Sequence, residues 1–157
     1  IAGLPQWYIE RQLNNFYDSV RGAHPDDPEG LRMRPMARQF RDRRHEMPVV
    51  AEFVAQMPSV SPARALTGGD AVKGKATYEG LCISCHGPDG KGLKEMNAPS
   101  LVIADDWYML NQLQKFKKGI RGGSQDTIGQ TMAVSAMTLQ DDQAMLDVIA
   151  HISTLPQ

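Results

Sequence analysis

Two cysteines and a histidine stand together at Cys82, Cys85 and His86, within "GLCISCHGPDGKG" (80–92). A spacing of three puts both thiols on one face of a helical turn, and the imidazole follows at once. A thioredoxin-like redox pair would sit at a strand-to-helix turn in a βαβ pattern, which this chain lacks. A structural zinc site needs four ligands, and there is no second Cys-x-x-Cys and no His-x-x-x-His. A disulfide between Cys82 and Cys85 would be strained across so short a loop. Covalent haem attachment uses all three residues. Each thiol forms a thioether with a haem vinyl group, and the next residue stands under the iron, where Nε2 becomes a ligand. One haem c, bound through Cys82 and Cys85 with His86 on the iron, is the expectation.

Nine methionines compete for the other axial position, although methionine is more often core filler than ligand. Met145 lies on an apolar helix face, Met137 at the entrance to that helix, and Met96 in the loop just after the cysteines. Met132 follows Gly129 in what reads as an irregular stretch, far enough from His86 to reach the opposite haem face, and is the expected ligand. Met33 has no haem motif beside it and reads as an apolar residue or a relic. His24, in "HPDDPEG", reads as solvated, and His151 as a packed histidine.

The elements around these residues read as helical throughout. Asp70 is placed to cap a helix through "AVKGKATYEGLCIS". Trp107, Leu110, Leu113 and Phe116 recur every third residue, as on one buried face. Met145, Val148, Ile149 and Ile152 follow an i, i+3, i+4, i+7 pattern after Asp141 and Asp142, which suit the first turn of a helix. Val49, Val50, Phe53, Val54 and Met57 make the matching face earlier in the chain. No run alternates as a strand would, so the class expected is all-α.

The chain also repeats itself. "WYIERQLNNFYDSVRG" (7–22) and "WYMLNQLQKFKKGIRG" (107–122) share Trp, Tyr, Gln, Leu, Phe, Arg and Gly at an offset of 100. Gly30, Met33 and Ala37 then fall on Gly129, Met132 and Ala136, and "FVAQMP" (53–58) on "HISTLP" (151–156). The segment carrying the cysteines has no counterpart upstream, so the first unit is a half unit. The organisation expected is a partial repeat over 1–58, a linker over 59–69, rich in Ser, Pro and Gly, and a haem-binding domain over 70–157.

Composition bounds the partners. Of 157 residues, 41% are hydrophobic and 22% charged, and the formal net charge is −1. That balance gives no reason to expect nucleic acid or an anionic membrane surface as a partner. No apolar run approaches the roughly 20 residues of a membrane helix. Lys117 and Lys118, with Lys91 and Lys94, read either as a mildly basic docking rim or as a solvated face.

With "GKATYEGLCISCHGPDGKG", then "APSL" (98–101), "FKKGIRG" and Gly-x-x-Met at 129–132, the chain resembles class I c-type cytochromes over 70–157. Its tandem arrangement is similar to the two-domain, dihaem cytochrome c4 branch, from which it departs in having one Cys-x-x-Cys-His and not two. Either the first haem half was cut away or the protein has lost it, and a start at Ile1, where that half would end, favours truncation. The resemblance implies a class I cytochrome c fold preceded by a helical half-repeat of the same fold. It also implies His86 and Met132 as axial ligands, the Pro99 carbonyl as acceptor for His86 Nδ1, and Trp107 packed over the haem edge. Arg121 is placed to pair with a propionate, since guanidinium suits carboxylate. The function implied is single-electron transfer at a relatively high potential, as a carrier in the periplasm docking with redox donor and acceptor proteins, or as a relay segment of a membrane oxidase or dehydrogenase complex. A haem peroxidase-like enzyme is the third reading. An apolar face on the half unit (Val50, Phe53, Val54) is expected to pack on the second domain or on another copy of the chain.

Overall fold

A computed structural model describes residues 1–156, and the chain is all-α as expected. The first half holds α1 (Gln6–Tyr17), α2 (Pro28–Arg38) and α3 (Met47–Ala55). The second holds α4 (Ala71–Thr77), α5 (Ile83–His86), α6 (Asp106–Lys117), α7 (Thr127–Thr138) and α8 (Asp142–Ile152). No strand occurs among the described residues; an isolated antiparallel bridge joins Leu93 to Ala98.

The sequence repeat reappears in how elements begin and meet. Asp27 and Asp126 cap α2 and α7, accepting from the backbone N–H of Gly30 (3.1 Å) and Gly129 (2.8 Å), which satisfies an orphan donor of the first turn. α1 packs on α2 and α3, as α6 packs on α7 and α8. α4 lies along α8, and among the described residues no equivalent helix lies against α3.

Burial follows the helical period in α8, where Met145, Val148, Ile149 and Ile152 are all buried. Together with Tyr78 and Met109, the last three form the core of the second half. Two expected faces are drawn differently. In α3 the inner face is Met47 and Ala51 with Val50 and Val54 against them, whereas Val49 and Phe53 are 64% and 66% exposed. These two therefore do not pack on the second half. In α6 the buried positions are Asp106, Met109, Gln112, Lys115 and Phe116, and Trp107, Leu113 and Phe116 open onto a cavity.

Residues 58–67 carry no regular structure, yet they are tied to the second half. Ala63 N–H donates to Asp105 Oδ1 (2.6 Å), Leu66 N–H to Asp106 Oδ2 (2.7 Å), and Arg64 to the carbonyls of Ala104 and Val102.

Candidate functional site

The segment carrying the cysteines starts where Asp70 accepts from the N–H of Val72 and Lys73. It is not one even α-helix. Tyr78–Cys82 is a π turn between α4 and α5, a widening often found at functional sites. The buried Tyr78 donates its hydroxyl proton to the Gly87 carbonyl (2.7 Å), tying the turn to the point where α5 ends. Gly87 has φ +78°, a conformation glycine adopts without steric cost, and it stops the helix directly after His86.

His86 is buried, and its Nδ1 lies 2.9 Å from the Pro99 carbonyl oxygen. A carbonyl only accepts, so Nδ1 carries the proton and Nε2 is left with the ring's lone pair. Burial holds the imidazole below its ordinary pKa, partly offset by the Pro99 contact, so the ring is neutral at pH 7 and suited to a metal. Gly92 supports that carbonyl: its φ is +81°, and a Cβ there would press on the Ala98 and Pro99 carbonyls. Burial, reinforced by Cys85, pushes the Cys82 thiol up to about 11.

These groups line one cavity of about 670 Å³, within the roughly 300–1,000 Å³ range of ligand and cofactor sites. Cys82, Cys85, His86, Pro99, Trp107, Arg121 and Met132 all face it. Met132 sits inside α7 and not in an irregular stretch, packed beside Phe116, Ala133 and Ala136. Met96 also lines the cavity, but Met137, Met145 and Met33 do not. His86 is the one histidine among the described lining residues; His151 instead packs against Tyr78, ring centroids 5.4 Å apart. Lys117 leaves the proposed basic rim, because its ammonium donates to the Leu139 and Gln140 carbonyls.

The first half contributes more than its repeat suggests. Leu4, Tyr8, Arg11 and Gln12 line the same cavity. Beside it, two arginines exchange partners across the halves. Arg21 donates to Gln12 Oε1 (2.7 Å), Gln112 Oε1 (3.1 Å) and the Tyr108 hydroxyl (3.1 Å). Arg121 donates to Gln112 Oε1 (2.7 Å) and Gln12 Oε1 (3.1 Å). Lys115, 7% exposed, bridges to Asp27 (2.6 Å) and Glu29 (2.5 Å) at the start of α2. The sequence offers no periodic signal for these cross-half pairs.

The donor set fits a haem: two thiols and a neutral imidazole at one wall, a thioether in the lining, and mostly apolar surroundings. Two buried guanidinium nitrogens without partners, Arg11 Nη1 and Arg121 Nε, suit a ligand that also carries acidic groups.

Comparison with known proteins agrees. The family model described as Cytochrome c matches residues 71–156. The thiosulfate dehydrogenase electron acceptor of Thiomonas intermedia is 30% identical over 96% of this chain and 68% of its own. Cytochrome c4 of Thiocapsa roseopersicina is 35% identical over 57% of this chain and 42% of its own. The FixP subunit of a cbb3-type cytochrome c oxidase of Bradyrhizobium diazoefficiens is 35% identical over 60% of this chain and 31% of its own. Among solved structures, cytochrome c4 of Acidithiobacillus ferrooxidans superposes with a TM-score of 0.75 at 26% identity, covering 98% of this chain and 86% of that one.

Proposed function

The chain belongs to the cytochrome c family, and from that premise we propose that it transfers single electrons through one haem c. Cys82 and Cys85 would hold the haem covalently, and His86 and Met132 would ligate its iron. The observation that carries the reading is the single cavity shared by Cys82, Cys85, His86 and Met132, with the His86 ring fixed by Pro99. The haem supplies the electron chemistry; the chain orients the imidazole, offers a thioether and keeps the surroundings apolar. Thioether sulfur and an apolar site both favour the ferrous state, which gives a relatively high potential. With His86 and Met132 both on the iron, no free site would remain for bond chemistry. A peroxidase-like reaction would instead need an open iron position with an acid–base group beside it.

The domain division at 58 and 70 belongs to the same proposal, as do redox partner proteins and a periplasmic location, since thioether attachment of this kind goes with export in bacteria. No helix of the described residues is long and apolar enough to cross a membrane. A second reading, a relay segment of a larger oxidase or dehydrogenase, is favoured by the resemblance to an electron acceptor of thiosulfate dehydrogenase and to an oxidase subunit. Copurification from the native host discriminates the two. Val49 and Phe53 offer the apolar surface for self-association through the half-repeat, and sedimentation over a concentration series tests it.

The direct test is intact mass under denaturing conditions with the oxidised optical spectrum. One covalent haem with the weak long-wavelength sulfur-to-iron band is the expected result. No covalent haem would return Cys82 and Cys85 to thiol chemistry.

A further inference from the structure

Arg11 lies in the first half yet faces the cavity lined by Cys82 and His86. One guanidinium nitrogen donates to the Asn97 carbonyl (2.9 Å), two residues before Pro99, and the group lies over the Trp7 and Tyr8 rings at 5.2 and 5.3 Å. Its Nη1 is buried with no partner. Arg121 faces the same cavity, and its buried Nε is likewise unpartnered. Neither arginine, nor Arg21 beside them, makes a salt bridge among the described residues. Asp126 lines the same cavity and acts on both arginines only at longer range, and buried guanidinium nitrogens left with spare donors are costly. The repeat places Asn111 where the first half has Arg11, so the extra charge is peculiar to the half unit.

We propose that Arg11 is a cofactor-binding residue supplied by the half-repeat: with Arg121 it pairs with the propionates of the haem held by the second half. The inference rests on the haem reading above. It gives the half unit a role as part of the haem site. A cation fixed beside the propionates offsets their negative field at the iron and disfavours ferric haem. Arg11 therefore raises the potential. The Asn97 contact joins the same side chain to the loop that presents Pro99 to His86.

The test compares wild type, Arg11→Gln and Arg11→Lys, each with haem content fixed by pyridine haemochrome absorbance before redox titration. Glutamine keeps a donor for the Asn97 carbonyl and loses the charge; lysine keeps the charge. At the wild-type midpoint, the oxidised-to-reduced ratio of Arg11→Gln is expected to rise about tenfold, a downward shift of about 59 mV for one electron. Arg11→Lys is expected to stay within about threefold of wild type. An unshifted Arg11→Gln, or equal shifts in both variants, would overturn the charge pairing while the haem reading stands. Absence of haem from wild type would overturn the haem reading itself. If Arg11→Gln does not accumulate, the redox-difference infrared bands of ¹³C-labelled propionates decide between wild type and Arg11→Lys. A carboxylate band that moves supports the pairing, and an unmoved band overturns it.

Discussion

His86 owes its orientation to a main-chain atom, the Pro99 carbonyl, and that atom is itself backed by Gly92. A Gly92→Ala change adds a Cβ against the carbonyl and strains a φ of +81°. A loss of about 1–3 kcal/mol is expected in urea unfolding, with the optical spectrum altered alongside. Met132→Ala leaves His86 untouched and removes the thioether. The sulfur-to-iron band should vanish, the potential should fall, and carbon monoxide should bind the reduced protein rapidly, all read by optical titration. At this scale the spacing Cys82, Cys85, His86 was open to sequence reading because one helical turn carries it. Arg11 was not: a charged residue on α1 gives no hint that the fold turns it toward a cavity of the other half.

The clearest element contact is α4 against α8. Gly74 is buried there, and a Cβ at that position would overlap the Asp147 carbonyl and crowd the Val148 nitrogen. Gly74→Val is expected to cost about 1–3 kcal/mol or more through overpacking, seen as a lower thermal midpoint. The period of α8 could be read from Met145, Val148, Ile149 and Ile152 because nothing interrupts it. The π turn at Tyr78–Cys82 could not, since it depends on Tyr78 reaching Gly87. Around Met132 the stretch after Gly129 reads as irregular, since glycine disfavours helix, but the Asp126 cap and the burial of Ala133 and Ala136 outweigh that local preference and make α7. In α3, an apolar composition on two sides hides which side is inward. Only the absence of an α4-like partner among the described residues shows why Val49 and Phe53 stay outside.

Across the whole molecule, the ion pair of Lys115 with Asp27 clamps the halves. The Asp27 and Lys115 side chains are 5% and 9% exposed; Glu29, at 63%, is solvent-screened and adds little. Burial works against the Asp27 charge, but hydrogen bonds from Lys115 and Gly30 win and hold its pKa below the usual range. Burial likewise opposes the Lys115 charge, and Asp27 and Glu29 outweigh it, raising its pKa. A depressed carboxylate stabilises above its unfolded pKa and loses that contribution as pH falls through the folded value. A raised lysine stabilises below its unfolded pKa and loses it as pH rises through the folded value. The clamp is therefore strongest across the neutral range. Lys115→Met should cost about 3–5 kcal/mol at pH 7 by stranding the Asp27 charge, and less at pH 3, where wild type has already weakened. Urea unfolding at the two pH values measures both.

The paired exchange of Arg21 and Arg121 with Gln12 and Gln112 carries a different kind of consequence. Each arginine serves the glutamine of its own unit and that of its copy. A duplicated gene whose halves are joined this way is not free to diverge at one copy alone. A change at Gln12 alters the surroundings of both arginines at once, so drift in one half is answerable to the other. Gln112 is bound in the same way, since it too accepts from both arginines.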